Sequence, residues 1–136
     1  MANSRNMNIL VIEDNLINQK LASTLFKRLG HQVDVALNGK LGVEMYQKNH
    51  HDLILMDIQM PVMTGIEATV SIREYEKTNK TKPVVIIAVT TFNFPIDKEN
   101  CLNAGMNDHV SKPYKPIDLL KKVAEHIPFF TVPEQF

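Results

Sequence analysis

A chain of 136 residues is long enough for one hydrophobic core and too short for a second domain of ordinary size. Its 44% apolar and 22% charged residues exclude extended disorder away from the ends. With 15 basic and 15 acidic residues it has no long-range field to attract nucleic acid or an anionic membrane, and its single cysteine, Cys101, can form neither an intrachain disulfide nor a thiolate zinc site.

Residues 1–7 form a polar N-terminal extension without the apolar run of a signal peptide. No apolar stretch approaches the ~18–20 residues of a membrane span, so a cytoplasmic location is expected. Asn8–Ile12 is the first apolar run and stops at Glu13-Asp14-Asn15. From Asn15 to Leu29, Ile17, Leu21, Leu25 and Leu29 recur every fourth position, which predicts a helix that Gly30 ends. Gln32–Leu37 alternates through Val33, Val35 and Leu37, as an edge strand does. Leu41, Met45 and Tyr46 mark a short second helix.

Asp52–Ile58 is continuously apolar through Leu53-Ile54-Leu55-Met56 and carries Asp57 near its end. Thr64-Gly65 opens a third helix marked by Ile66, Thr69, Val70 and Ile72. Val84–Val89 is another unbroken apolar run, leading into Thr90-Thr91. A fourth helix is expected from Pro95 to near Gly105, then a short strand His109–Ser111 before Lys112-Pro113. Pro116 suits the first turn of a fifth helix, whose stripe is Ile117, Leu120, Val123, Ala124 and Ile127; Pro128 ends it. Residues 8–127 thus read as one domain, followed by a tail at 128–136.

Five strand–helix alternations indicate an α/β fold: a five-stranded parallel, doubly wound sheet with five helices on its two faces. Unbroken apolar strands agree with burial on both faces. In such folds sites lie at the carboxyl ends of the strands. Those ends carry Glu13, Asp14, Asp57, Thr90 and Lys112. Three carboxylates brought together repel one another, and a divalent cation relieves the repulsion. All-oxygen ligation suits Mg2+, and a carboxylate beside it can attack phosphorus. Lys112 and Thr90 would then bind the phosphoryl oxygens.

The motifs Ile-Leu-Val-Ile-Glu-Asp-Asn (9–15), Asp-Leu-Ile-Leu-Met-Asp-Ile-Gln-Met-Pro-Val-Met-Thr-Gly (52–65), Ile-Ala-Val-Thr (87–90) and Gly-Met-Asn-Asp-His-Val-Ser-Lys-Pro (105–113) resemble those of response-regulator receiver domains, from Asn8 to Ile127. The resemblance implies the flavodoxin-like sheet order 2-1-3-4-5. It implies Asp57 as phosphoacceptor, and a Mg2+ site from Glu13, Asp14, Asp57 and the Gln59 backbone carbonyl. It also implies Thr90 as switch hydroxyl, Lys112 as phosphoryl-binding lysine, and a cis Lys112–Pro113 bond. The run 13–22 looks most like receivers attached to hybrid histidine kinases. The implied partner is a sensor histidine kinase or a histidine phosphotransfer domain, and the resemblance implies that the first helix of this chain forms part of the surface on which the donor docks; on the plainer reading Ile17, Leu21 and Ala22 are core and Asn18 is solvated. Activity would be self-phosphotransfer and self-dephosphorylation rather than turnover of a substrate.

Three positions depart from the family pattern. His109 stands where Tyr or Phe is usual, so a switch role there would be weaker or pH-dependent. Thr91 replaces a small residue and crowds the path to Asp57 slightly. Phe92 either shields the phosphoryl group from water or packs on the fourth helix, and Phe92, Phe94, Phe129 and Phe130 are either a homodimer patch or buried. The alternative function is a receiver-like interaction module that no longer accepts phosphate. A haloacid-dehalogenase-like phosphatase lacks its Asp-x-Asp-x-Thr signature here, and a flavin module lacks a Ser/Thr/Gly-rich loop after the first strand.

Overall fold

The computed structural model describes residues 6–91 and 95–135. Five strands, β1 (Asn8–Ile12), β2 (Gln32–Ala36), β3 (Leu53–Asp57), β4 (Val85–Thr90) and β5 (Asp108–Ser111), alternate with five helices. These are α1 (Leu16–Arg28), α2 (Gly39–Asn49), α3 (Gly65–Asn79), α4 (Pro95–Ala104) and α5 (Pro116–His126). The sheet is wholly parallel in the order β2-β1-β3-β4-β5, as the resemblance implies. Among the described residues no helix is long and apolar enough to cross a membrane.

Successive strand residues point to opposite faces, so each strand feeds two cores. Leu10, Ile12, Ile54, Met56, Ile86 and Ala88 pack with Tyr46 of α2, Ala68 and Ile72 of α3 and Cys101 of α4. Ile9, Val11, Leu53, Leu55, Ile87 and Val89 pack with Phe26 of α1 and Leu119, Leu120 and Val123 of α5. Truncating a residue such as Phe26 to alanine costs about 3–5 kcal/mol. The alternating second run is indeed an edge strand, with Val35 left exposed.

The four-residue row on α1 is not its core face. Ile17 is 72% exposed and Leu21 64%, whereas Ala22, Ser23 and Phe26 are buried. A repeat of four on a helix of 3.6 residues per turn drifts by about 40° per step. Leu25 and Leu29 therefore still pack against the core while the amino-terminal members swing into solvent.

Side chains cap the amino-terminal ends of α1, α2 and α3. Asn15 Oδ1 accepts from the Asn18 N–H at 3.0 Å, and Asn38 Oδ1 from the Leu41 N–H at 2.9 Å. Thr64 and Glu67 form a reciprocal capping box at the start of α3. Ahead of it, the β3–α3 loop turns sharply at Val62, whose φ is 73°, and the Met63 N–H donates to the Pro61 carbonyl at 2.8 Å. This is a γ-turn with positive φ at its centre, and a branched residue held there costs roughly 1–3 kcal/mol.

At the sheet's opposite end a polar network crosses the core. Glu76 is buried; its Oε2 accepts from the Tyr46 hydroxyl and from the Val84 N–H, each at 2.7 Å. Arg73 donates to Glu76 Oε1 and to the carbonyls of Val84 and Gly105. Beyond α5, Phe130 is buried against the α1–α5 core, its ring 5.8 Å from that of His31. Of the four phenylalanines considered as a surface patch, Phe130 is thus core, Phe129 packs beside it, and Phe92 and Phe94 lie outside the described residues.

Candidate functional site

The parallel register brings the strand ends to one rim. Asp57 pairs with Val89 one residue before Thr90, Thr90 pairs with Ser111, and Lys112 follows Ser111. The Lys112 N–H donates to the Thr90 carbonyl at 2.7 Å, and the Lys112–Pro113 peptide is cis as the resemblance implies. On the other side the Glu13 N–H donates to the Ala36 carbonyl at 3.0 Å, which ties the β1 end to β2.

Carboxylate oxygens of Glu13, Asp14 and Asp57 lie within 4.8 Å of one another. Glu13 and Asp57 are buried and Asp14 is exposed at the mouth. Lys112 Nζ donates to Glu13 Oε1 at 2.8 Å and stands 3.7 Å from Asp57 Oδ1. Thr90 is buried at the end of β4, and Gln59 is exposed two residues past Asp57. Gly65 closes the site from below: its N–H donates to the Ile58 carbonyl at 3.0 Å, and a Cβ there would collide with the Asp57 carbonyl oxygen. A largely apolar cleft of about 390 Å3 runs from Asp57 and Lys112 between Leu21, Leu25 and Pro116.

The electrostatics follow from this crowding. Burial pushes the Asp57 carboxyl up, the neighbouring Glu13 and Asp14 push it further, and Lys112 only partly offsets them, so it titrates at about 7. An all-oxygen cluster with three carboxylates against one ammonium fits a hard divalent cation.

His109 lies on β5 opposite Ala88, on the same face of the sheet as Thr90 and half-buried. Burial and the positive charges of Lys98 and Lys122 lower its pKa, while Asp108 acts the other way. Asp108 is itself pushed up by burial, but His126 at 2.9 Å, the His109 N–H at 2.8 Å and Lys122 at 3.2 Å outweigh that and lower it. The strand-end reasoning located Glu13, Asp14, Asp57, Thr90 and Lys112. It did not foresee the direct Lys112–Glu13 pair or the Asp108–His126 pair, because nothing in β5 or α5 read alone sets their packing.

Fold and site together define a doubly wound parallel α/β protein with an acidic cluster at the carboxyl rim of its sheet that could hold a metal ion. The family model for the response regulator receiver domain matches residues 9–124, and the chain belongs to that family. It is 46% identical over 128 residues to hybrid signal transduction histidine kinase B of Dictyostelium discoideum, a match covering 88% of this chain and 6% of the relative. It is 35% identical over 142 residues to response regulator mcs4 of Schizosaccharomyces pombe, covering 88% of this chain and 27% of that protein. The chain thus spans a small part of these relatives. Among solved structures, the receiver domain of Ssk1 from Saccharomyces cerevisiae, co-crystallised with the histidine phosphotransfer signalling protein Ypd1, superimposes with a TM-score of 0.86 at 34% identity, covering 95% of this chain and 94% of that one. The receiver domain of a sensor histidine kinase from Pseudomonas aeruginosa, with a magnesium ion in its active-site cleft, gives 0.80 at 36% identity, covering 91% and 99%.

Proposed function

We propose that this chain is a phosphorelay switch that takes a phosphoryl group from a phosphohistidine onto Asp57. The observation that carries the reading is the convergence of Asp57 with Glu13, Asp14, Lys112 and Thr90 at one rim. In the transfer an Asp57 carboxylate oxygen forms a bond to phosphorus, the phosphorus–nitrogen bond breaks, and the donor imidazole leaves.

Glu13, Asp14, Asp57 and the Gln59 carbonyl would hold Mg2+, which neutralises charge on the phosphoryl oxygens when bound. Lys112 holds its ammonium beside the Asp57 oxygen, ready to meet the incoming phosphoryl group. Thr90 brings its hydroxyl from the neighbouring strand. Buried walls of Val11, Leu55 and Val89 strengthen each of these charge interactions. His109, on the same sheet face as Thr90, would carry the change toward the β5 edge, shifting a pre-existing equilibrium.

The partner is a histidine phosphotransfer domain or a histidine kinase, and the reaction is a stoichiometric acceptance rather than turnover of a free substrate. Intact-mass measurement after acetyl phosphate and Mg2+ tests the core of this. One phosphoryl adduct on the wild type and none on Asp57→Ala supports it; no adduct on either sinks it in favour of a receiver-like module without phosphate chemistry.

A further inference from the structure

We propose that Val62, at the tip of the β3–α3 loop, is a specificity-determining contact for a histidine phosphotransfer domain, presented to it by a strained turn. The inference rests on the phosphoacceptor reading above and names a residue that reading does not use.

Val62 combines two features that folding alone disfavours. Its φ of 73° lies in the left-handed region, where a branched Cβ is poorly tolerated and glycine or asparagine is at ease. It is also 78% exposed, more than any other large apolar residue among those described. Together they give an apolar side chain held outward at a conformational cost.

The turn is not slack. The loop is closed by the Gly65 N–H donating to the Ile58 carbonyl and by the Met63 N–H donating to the Pro61 carbonyl. Met60 is buried, and Met63 packs into the α2 side of the core, tight against Gly39. Anchored on both sides, the tip has one way to point. A contact already fixed in position loses little freedom on binding, which favours its use in recognition.

Its placement selects the partner. The loop leaves the rim at Asp57 and returns at Gly65, under the Asp57 carbonyl. Across the acidic cleft, α1 starts with Leu16 and Ile17, both exposed. With a divalent cation bound, the cleft receives any phosphoryl donor alike, so discrimination between a protein donor and a small one must come from contacts outside it, on its apolar flanks. A domain that carries its phosphohistidine within an apolar surface satisfies both sides. Val62 is not among the residues lining the cleft at Asp57, so a small phosphodonor need not touch it.

The test compares wild type, Val62→Asn and Val62→Ile in three assays: labelling by acetyl phosphate, phosphotransfer from phosphorylated Ypd1, and thermal unfolding. Val62→Asn relieves the backbone, so Tm rises by about 3–5 °C. Its acetyl phosphate labelling stays within about twofold of wild type, while kcat/KM for transfer from Ypd1 falls about tenfold, mainly through KM, the loss expected for one buried isopropyl group. Val62→Ile keeps wild-type transfer. Unchanged transfer in Val62→Asn overturns the proposal, as does a parallel loss of acetyl phosphate labelling, which would mark a structural role. Wild type that labels with acetyl phosphate but takes nothing from Ypd1 overturns it as stated and leaves the phosphoacceptor reading standing; wild type that labels with neither overturns both.

Discussion

Lys112 Nζ hydrogen-bonds Glu13 at 2.8 Å and stands 3.7 Å from Asp57, so the ammonium pairs with both buried carboxylates and more closely with Glu13. Ninety-nine residues separate the pair in sequence. It is the link that holds the end of β5 against the end of β1 across β3 and β4.

Removing that ammonium leaves the carboxylates facing each other. Lys112→Met is expected to lower stability at pH 8 without divalent cation by on the order of 2–3 kcal/mol, less than full exposure of a buried charge because Asp57 can take up a proton. Mg2+ should restore most of the loss, while acetyl phosphate labelling falls by roughly 100-fold or more for want of a group on the phosphoryl oxygens. Denaturant unfolding with and without Mg2+ decides it: an unfolding free energy unchanged by the substitution in metal-free buffer removes the electrostatic argument.

Asp57 gives the opposite sign. Its folded-state pKa is raised from 3.8 to about 7, so the folded protein holds a proton that the unfolded chain has released. Stability is therefore complete below about pH 3.8 and is lost progressively as pH rises toward about 7. Asp57→Asn should melt several degrees higher than wild type at pH 8 in the absence of divalent cation, with the gap closing near pH 4. Equal Tm values at pH 8 would show that the crowded carboxylate is not destabilising.

Much of the fold was legible because strand ends in a parallel sheet must share one rim; the order of apolar runs placed Asp57, Thr90 and Lys112 at that rim, and their roles came from the family resemblance. Lateral detail was not legible. The row Ile17, Leu21, Leu25, Leu29 shows helix but not which side of it faces the core, since that depends on the angle at which α1 crosses β1. Phe130 lay past the last helix, with no periodicity to announce its burial. Arg73 and Glu76 read as ordinary charges on α3, although three other segments converge on them.

His109 sets a second pH window. Its pKa is lowered by burial and by Lys98 and Lys122, so the unfolded chain binds its proton more readily. Its contribution is present above the unfolded value of 6.5 and is lost as pH falls through the folded one. His109→Phe should flatten the stability profile below about pH 6.5, where the unfolded chain begins to take up the proton. The Asp108 contribution, also lowered, is lost only below the ordinary value of 3.8, so the two separate on the pH axis. A profile unaltered by His109→Phe would rule out His109 as the source.

Arg73 tests the buried network. Arg73→Ala strands the Glu76 carboxylate in the core with only Tyr46 and Val84 as donors, at a cost of about 3–5 kcal/mol. Adding Glu76→Gln should recover part of this, because a neutral amide needs no counter-charge. A double variant no more stable than Arg73→Ala would assign the loss to the contacts with Gly105 and Val84 instead.

Ile17 and Leu21 separate stability from recognition. Both are mostly exposed on the outer face of α1, so replacing either with glutamate should move stability by no more than about 0.5 kcal/mol, as surface substitutions do. At Leu21 the change puts a charge in the lining of the apolar cleft that leads to Asp57, and at Ile17 one helical turn ahead of it, where an incoming domain must shed water to dock. Ile17→Glu and Leu21→Glu should therefore keep acetyl phosphate labelling while losing roughly tenfold or more in transfer from a phosphotransfer domain, the size of a lost apolar anchor. Rates followed by radiolabel transfer check this. If both variants accept phosphate from the domain at the wild-type rate, the exposed row on α1 is not the surface on which the donor sits.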